Sequence, residues 1–166
     1  MSEKTNLPSI WIDADSCPKA VRDISIRFSH RISSSIKVIF VANKEIPASS
    51  DDYTMIVCEQ KKDSADNYIL EHVKNNDLVI TRDILFAEKL VEKNICAIND
   101  RGTYFNRDNI KDLVEDRNFD LQLAEIGLTG TKIHSYNKKQ LAKFTSCFET
   151  QLNHLLKNYS LTHHPE

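Results

Sequence analysis

The sequence predicts an α/β fold, a three-layer sandwich in which a mainly parallel sheet of about five strands has helices on both faces. Short apolar runs alternate along the chain with longer segments whose apolar residues recur every three or four positions. This alternation is typical of parallel strands joined by crossover helices. The apolar runs are apolar throughout rather than at every second residue, which indicates that both faces of the sheet are covered.

The predicted strands are short runs rich in β-branched and aromatic residues, each bounded by polar residues. They cover residues 9–14, 36–43, 54–59, 77–82 and 95–99. No apolar run approaches the ~18 residues that suggest a membrane-spanning helix. We therefore expect no membrane partner.

The predicted helices have apolar residues at helical spacing. They cover residues 17–31, 64–75, 84–93, 107–117, 119–126 and, as the strongest amphipathic pattern, about 138–158. The glycine-containing segment 127–137 is interpreted as a loop. We interpret residues 1–166 as one domain, because no internal repeat or low-complexity segment divides them.

Composition narrows the classes of function. The chain has 166 residues, is 40% hydrophobic and 28% charged, and carries a net charge of −2. A nucleic-acid partner would therefore need a local basic patch. The four cysteines are widely separated and form no CxxC pair, which argues against a zinc ribbon or a disulfide framework. This cysteine usage indicates a reduced, cytoplasmic protein.

Acidic residues follow several of the predicted strands. Asp13 and Asp15 come directly after the first strand, in the stretch IWIDADS. Ligands of an open parallel sheet bind at the carboxyl ends of the strands, so acids at these positions converge on one edge. Clustered carboxylates repel each other unless a cation lies between them, and oxygen ligands suit Mg²⁺ or Mn²⁺. The acids at this edge that we predict as metal ligands are Asp13, Asp15, Asp63, Asp66 and Asp83.

A structural role is the alternative for each acid taken alone. Asp83 is placed to cap the helix that follows it, and Asp63 or Ser64 is placed to cap another. Asp15 or Ser16 is similarly placed before the first helix. Asp13 is the hardest to explain as a cap, because it ends a strand.

Other residues near this edge have side chains that suit phosphate or nucleophilic chemistry. Arg82 and Arg101 flank strand ends and suit bidentate contact with phosphate, and Lys19 lies near the same edge. Asp100 precedes Arg101 after the fifth strand. A helix N-terminus at Cys17 would lower the pKa of its thiol, although neighbouring aspartates would oppose this.

Several separate motifs together resemble the YaiI/YqxD family of bacterial proteins. They are DADSCP at 13–18, VAN at 41–43, DSADNYI at 63–69, DLVITRDILFAEKLVEKN at 77–94, RGTYFNRDNI at 101–110 and GLTG at 127–130. The resemblance covers about residues 9–150. This family is placed near the PIN-like nucleases, whose parallel sheet carries acids that bind Mg²⁺ or Mn²⁺.

The resemblance to PIN-like nucleases implies that Asp13, Asp66 and Asp83 are the catalytic acids. Thr81 would be the hydroxyl of the T-x-D motif that orients Asp83. PIN-like enzymes usually carry a further acid on a helix between the first and third of these, and the sequence has no clear match. Asp15 is the candidate substitute.

Three functions are open on the sequence. The first is a metal-dependent nuclease acting on RNA or DNA, in which Arg82, Arg101 or Lys19 contacts backbone phosphates. The second is a non-catalytic PIN-like module that binds RNA or protein, which the missing fourth acid favours. The third is a phosphatase of the haloacid-dehalogenase type, because IWIDADS resembles its D-x-D-x-[ST] motif. Against the third, Asn43 ends the second strand, where that family needs Ser or Thr.

Overall fold

The computed structural model describes residues 7–48, 50–128 and 135–163, apart from the side chains of 161–163. They form a six-stranded sheet of order β3-β2-β1-β4-β5-β6. The strands are β1 (Ile10–Asp13), β2 (Val38–Ala42), β3 (Thr54–Val57), β4 (Leu78–Ile80), β5 (Cys96–Ile98) and β6 (Tyr104–Phe105). All neighbouring strands are parallel except β6, which runs antiparallel to β5.

The five predicted strands are confirmed, and β6 is an addition that the sequence did not predict. It has only two residues, which is too short for an apolar pattern to be recognised.

In the described parts of the chain, five α-helices accompany the sheet, and a 3-10 turn, Ala14–Ser16, joins β1 to the first of them. The helices are α1 (Lys19–Ile32), α2 (Ser64–His72), α3 (Ile84–Glu92), α4 (Ile110–Glu125) and α5 (Lys138–His163). The predicted break between helices at 107–117 and 119–126 is wrong, because α4 continues through Asn118. Asparagine has a low helix propensity, yet it does not stop a helix as proline does. None of the described helices has the length and apolar character needed to cross a membrane.

Helices cover both faces of the sheet, as predicted. Ile10 and Ile12 of β1 lie in a buried cluster with Phe144 and Phe148 of α5. Trp11 points to the other face, where it lies in a second cluster with residues such as Phe86 of α3. The apolar stripe predicted for α5 is confirmed, since Phe144 and Phe148 are fully buried.

The parallel register brings the carboxyl ends of the strands to one edge. Ile12 of β1 is paired with Phe40 of β2 on one side and with Ile80 of β4 on the other. The residues that follow β1 and β4 therefore meet, and the segment after β3 leads into α2 beside them.

At the opposite edge of the sheet, a buried carboxylate joins the starts of β1 and β4. Asp77, just before β4, is 5% exposed. It accepts hydrogen bonds from the backbone N–H groups of Ser9 and Lys74, both at 2.9 Å, and from Nε1–H of Trp11 at 3.0 Å. Because three donors satisfy the carboxylate, Asp77 links the starts of β1 and β4 without an unsatisfied buried charge.

The turn between β5 and β6 packs directly on α5. Gly102 has a φ of +84°, and a Cβ at this position would lie 2.6 Å from the backbone carbonyl oxygen of Lys143. Tyr136 donates a hydrogen bond from its hydroxyl to the backbone carbonyl of Asp100 at 2.6 Å. The position of this turn therefore depends on α5 and on the residues just before it.

We expect Asp77→Ala to lower the free energy of unfolding by about 3 kcal/mol, because it leaves three donors without their acceptor. Urea denaturation followed by tryptophan fluorescence measures the change. Asp120→Ala, an exposed change on α4, is the control and should lie within about 0.5 kcal/mol of the wild type. Equal midpoints for the two variants would show that Asp77 does not hold the strands together.

Candidate functional site

A hydroxyl group links the acid after β1 to the acid after β4. Thr81, 2% exposed, donates from Oγ1 to Oδ2 of Asp13 at 3.0 Å. The backbone N–H of Asp83 donates to the same Oγ1 at 3.1 Å. Ser16 makes a longer contact of 3.4 Å to Oδ2 of Asp13. The Thr81 side chain therefore fixes Asp13 and Asp83 relative to each other.

Three of the predicted ligands form a cluster beside this link. Carboxylate oxygens of Asp63, Asp66 and Asp83 all lie within 4.8 Å of one another. Asp63 is exposed and immediately precedes α2, Asp66 is half-buried in the first turn of that helix, and Asp83 immediately precedes α3. Asp63 has a left-handed backbone with a φ of 62°, a conformation in which aspartate is several-fold enriched among non-glycine residues.

Burial and the neighbouring carboxylates both raise the pKa of Asp66 in this cluster. The pKa of Asp66 is raised to about 7; burial is the largest cause, the carboxylates of Asp13, Asp83 and Asp63 act in the same direction, and Lys89 opposes them. The charged form of Asp66 is therefore disfavoured both by partial loss of water and by its neighbours.

Asp13 is subject to the same effects. Burial is the largest cause that raises its pKa, and the carboxylates of Asp15 and Asp83 act in the same direction. The hydrogen bonds from Thr81 and Ser16 oppose the rise, because they stabilise the charged form.

Asp15 lies apart from the three-acid cluster. It is exposed, and its Oδ2 accepts a hydrogen bond of 2.9 Å from the backbone N–H of Asn43. This bond anchors the turn after β1 to the end of β2, so Asn43 supports the edge through its main chain.

The capping roles considered for these acids are only partly present. Asp83 caps α3, because its Oδ1 accepts a hydrogen bond of 3.1 Å from the N–H of Phe86. Asp63 occupies the N-cap position of α2 but makes no capping bond with its side chain. The predicted cap of α1 by Asp15 or Ser16 is wrong, because both belong to a separate 3-10 turn and the helix follows Pro18.

The thiol of Cys17 does not have the lowered pKa that a helix N-terminus would produce. Cys17 is 8% exposed. Burial raises the pKa of its thiol, and the carboxylates of Asp100 and Asp13 raise it further. This environment disfavours the thiolate that a nucleophile requires.

A pocket of about 500 Å³ adjoins the acids and contains two arginines. Its lining residues are Asp13, Asp15, Ser16, Arg82, Asp83, Ile84 and Arg117. Among the predicted basic residues, only Arg82 lines it. Lys19 pairs with Asp23 one helical turn away at 2.9 Å, and Arg101 is exposed in the turn after β5.

Arg117 was not among the predicted site residues. It lies in α4, which follows all the parallel strands, and no local motif links it to a strand end. Only the packing of α4 against α3 brings its guanidinium to the pocket, and that packing is not encoded at neighbouring sequence positions.

Asp66→Asn should flatten the pH dependence of stability in EDTA. The folded-state pKa of Asp66 is raised from 3.8 to about 7. The folded protein therefore binds the Asp66 proton more tightly than the unfolded chain, and this contribution to stability is lost as the pH rises between these values. We expect the variant to melt higher than the wild type at about pH 7.5 and similarly at about pH 4.

Thermal melts across this pH range, with exposed Asp51→Asn as the control, measure the effect. A wild-type curve that changes with pH no more than the Asp66→Asn curve would contradict the raised pKa.

Comparison with known proteins agrees with the motifs. Residues 11–157 match the family model described as "Uncharacterized BCR, YaiI/YqxD family". A UPF0178 protein of Treponema denticola is 43% identical over 152 residues, covering 92% of this chain and 96% of the relative. A UPF0178 protein of Psychromonas ingrahamii is 36% identical over 145 residues, covering 87% and 95%. No solved structure matches the chain. The chain belongs to the YaiI/YqxD family.

Proposed function

We propose that this protein is a divalent-metal-dependent nuclease that hydrolyses phosphodiester bonds in RNA or DNA. The observation that carries the proposal is the cluster at the carboxyl edge of the sheet. Oxygens of Asp63, Asp66 and Asp83 lie within 4.8 Å of one another, and the buried carboxylate of Asp13 adjoins them. Such a group of acids is destabilised by mutual repulsion until a cation neutralises it.

The donor set fits Mg²⁺ or Mn²⁺, because both ions take carboxylate oxygens as ligands. Asp63, Asp66 and Asp83 would hold the ion, with Asp13 in contact with it directly or through water. When bound, the ion would lower the pKa of a water molecule and stabilise negative charge on the phosphate.

The residues of the chain would orient the reacting groups. Thr81 and Ser16 both contact Oδ2 of Asp13. We assign Oδ1 of Asp13 the role of accepting a hydrogen bond from the attacking water. Arg82, on the rim of the adjoining pocket, would contact a backbone phosphate of the substrate.

The sheet order and the T-x-D motif support a PIN-like assignment as part of this proposal. The five parallel strands have the order β3-β2-β1-β4-β5, and Thr81 bonds to both Asp13 and Asp83.

A specific observation favours the second candidate, a non-catalytic module that binds RNA or protein. Asp15, the proposed substitute for the fourth acid, is bonded to the backbone of Asn43 and lies outside the group of Asp63, Asp66 and Asp83. A site with too few ligands would bind a metal weakly and lack activity.

The phosphatase alternative requires Asp13 as the nucleophile.

We expect Mn²⁺ to raise the melting temperature of the wild type and to have little effect on Asp83→Asn. An ion that binds only the folded state at 100 times its dissociation constant adds about 2.7 kcal/mol. Asparagine is as good an N-cap as aspartate, so this variant removes the charge and keeps the cap of α3. Asp83→Ala removes both the charge and the cap, so in EDTA its free energy of unfolding should be ~1 kcal/mol lower than that of Asp83→Asn.

Cleavage of single-stranded RNA and DNA in Mn²⁺ is the accompanying assay, and Asp108→Asn, an exposed change outside the cluster, is the control. Cleavage that requires Asp83 supports the nuclease. A Mn²⁺ shift without cleavage supports the binding module. Release of phosphate from p-nitrophenyl phosphate without cleavage supports the phosphatase. If neither the metal nor Asp83→Asn has any effect, the acids are structural and the proposal is wrong.

A further inference from the structure

We propose that Arg117 and Arg82 together hold a backbone phosphate of the nucleic-acid substrate in the pocket beside the acids, and that Asp100 positions Arg82 for this contact. The inference rests on the proposed nuclease function and names the residues by which that site would take its substrate. The experiment below separates a failure of this phosphate contact from a failure of metal binding.

The pocket brings opposite charges together around one open volume. About 500 Å³ in size, it has Asp13, Asp15 and Asp83 on its walls together with the two arginines. Asp83 also belongs to the three-acid cluster, so the candidate cation position and the pocket share a wall. A phosphate in the pocket would thus lie beside the metal position and between guanidinium groups, which match phosphate oxygens in charge and shape.

Arg82 is held in place by a buried carboxylate. Its Nε and Nη2 donate to Oδ2 of Asp100 at 3.0 and 2.6 Å, and Asp100 is 2% exposed. The side chain of Arg82 itself remains 43% exposed. In the described part of the chain, Nη1 of Arg82 has no acceptor. Because Asp100 occupies the side of the guanidinium formed by Nε and Nη2, the remaining N–H groups, including both on Nη1, are oriented and left for a ligand.

Asp100 is suited to positioning rather than to ligand contact. It is not among the residues that line the pocket. Its Oδ1 is buried and has no hydrogen-bond partner among the described residues, so Arg82 supplies the bonds that offset the burial of this side chain. The backbone of Asp100 is in turn held by the hydroxyl of Tyr136. The position of Arg82 is therefore set from behind the pocket.

Arg117 approaches the pocket from a different element. It is half-buried in α4, whereas the residues on either side of it in the sequence, Asp116 and Asn118, are exposed. Its one described hydrogen bond is a 3.3 Å contact from Nη1 to the Asn118 side chain. No carboxylate of the described residues lies within ion-pairing distance of Arg117, so its charge is not matched within the protein as that of Arg82 is.

The test measures binding of fluorescein-labelled single-stranded DNA and RNA decamers by anisotropy, in EDTA and in Ca²⁺. We expect Arg117→Ala and Arg82→Ala each to weaken binding about tenfold for all base sequences. Each should also reduce the slope of the logarithm of the binding constant against the logarithm of the salt concentration by about 1, which corresponds to the loss of one phosphate contact. Arg117→Lys should recover part of the loss. Arg107→Ala, which removes an exposed arginine outside the pocket, is the matched control and should bind like the wild type.

The positioning role of Asp100 has its own readout. Asp100→Asn should weaken binding in the wild type and have no further effect in the Arg82→Ala background, since Asp100 would act only through Arg82. A loss of similar size in both backgrounds would overturn the positioning role. Circular dichroism establishes that each variant is folded, and Arg82→Lys replaces Arg82→Ala if the latter does not fold.

The Mn²⁺ melting shift is followed in the same arginine variants. If Arg117→Ala binds like the wild type, if Arg107→Ala loses as much, or if the wild type binds neither decamer, the phosphate contact is wrong. A mononucleotide that competes as well as an unlabelled decamer would also overturn it in favour of a small phosphate ester. Arginine-dependent binding without any Mn²⁺ shift would support the contact while contradicting the nuclease.

Discussion

The hydrogen bond from Thr81 to Asp13 is the interaction on which the site depends. Thr81 Oγ1 donates to the carboxylate after β1 and accepts from the backbone N–H of Asp83 after β4. These strands are neighbours at the centre of the sheet, so a single hydroxyl sets the separation of the two acids. A larger or apolar side chain at this position would leave the buried carboxylate of Asp13 without its closest donor.

Asp77 and Asp66, at opposite edges of the sheet, differ in their hydrogen-bond partners. At the amino edge, Asp77 accepts three hydrogen bonds and joins strands. At the carboxyl edge, no described residue donates a hydrogen bond to Asp66, and burial together with neighbouring carboxylates raises the pKa of its side chain. The hydrogen bonds to Asp77 satisfy its carboxylate within the protein, whereas the carboxylate of Asp66 has no described donor. Asp66 also differs in this respect from Asp13, Asp15 and Asp83 at its own edge, each of which accepts a hydrogen bond.

Much of the fold was predictable because it depends on patterns of neighbouring residues. Apolar runs predicted the five parallel strands. The carboxyl ends of parallel strands lie at one edge of a sheet, and this predicted that Asp13, Asp66 and Asp83 would lie close together. The continuity of α4 through Asn118 and the two-residue strand β6 were not predictable, because local propensity there is weak.

The remaining parts of the site arise from contacts between distant segments. Arg117 reaches the pocket only through the packing of α4, and the ion pair of Arg82 with Asp100 joins residues that follow β4 and β5. The pKa expected for the Cys17 thiol was wrong for the same reason. Its place near a helix start indicated a lowered pKa, but burial, which is a property of the whole fold, reverses the direction.

The dependence of the β5–β6 turn on α5 has a consequence for synthesis of the chain. Every strand emerges from the ribosome before α5, yet Phe144, Phe148 and Leu152 of α5 complete the core on one face of the sheet. Gly102 and Asp100 likewise meet partners at 143 and 136. A nascent chain that ends before α5 would expose an apolar sheet face and leave the turn behind Arg82 unsupported, so it is aggregation-prone and a natural substrate for chaperones. The support of the turn that carries Asp100 would therefore be complete only after residues 136–143 have been synthesised.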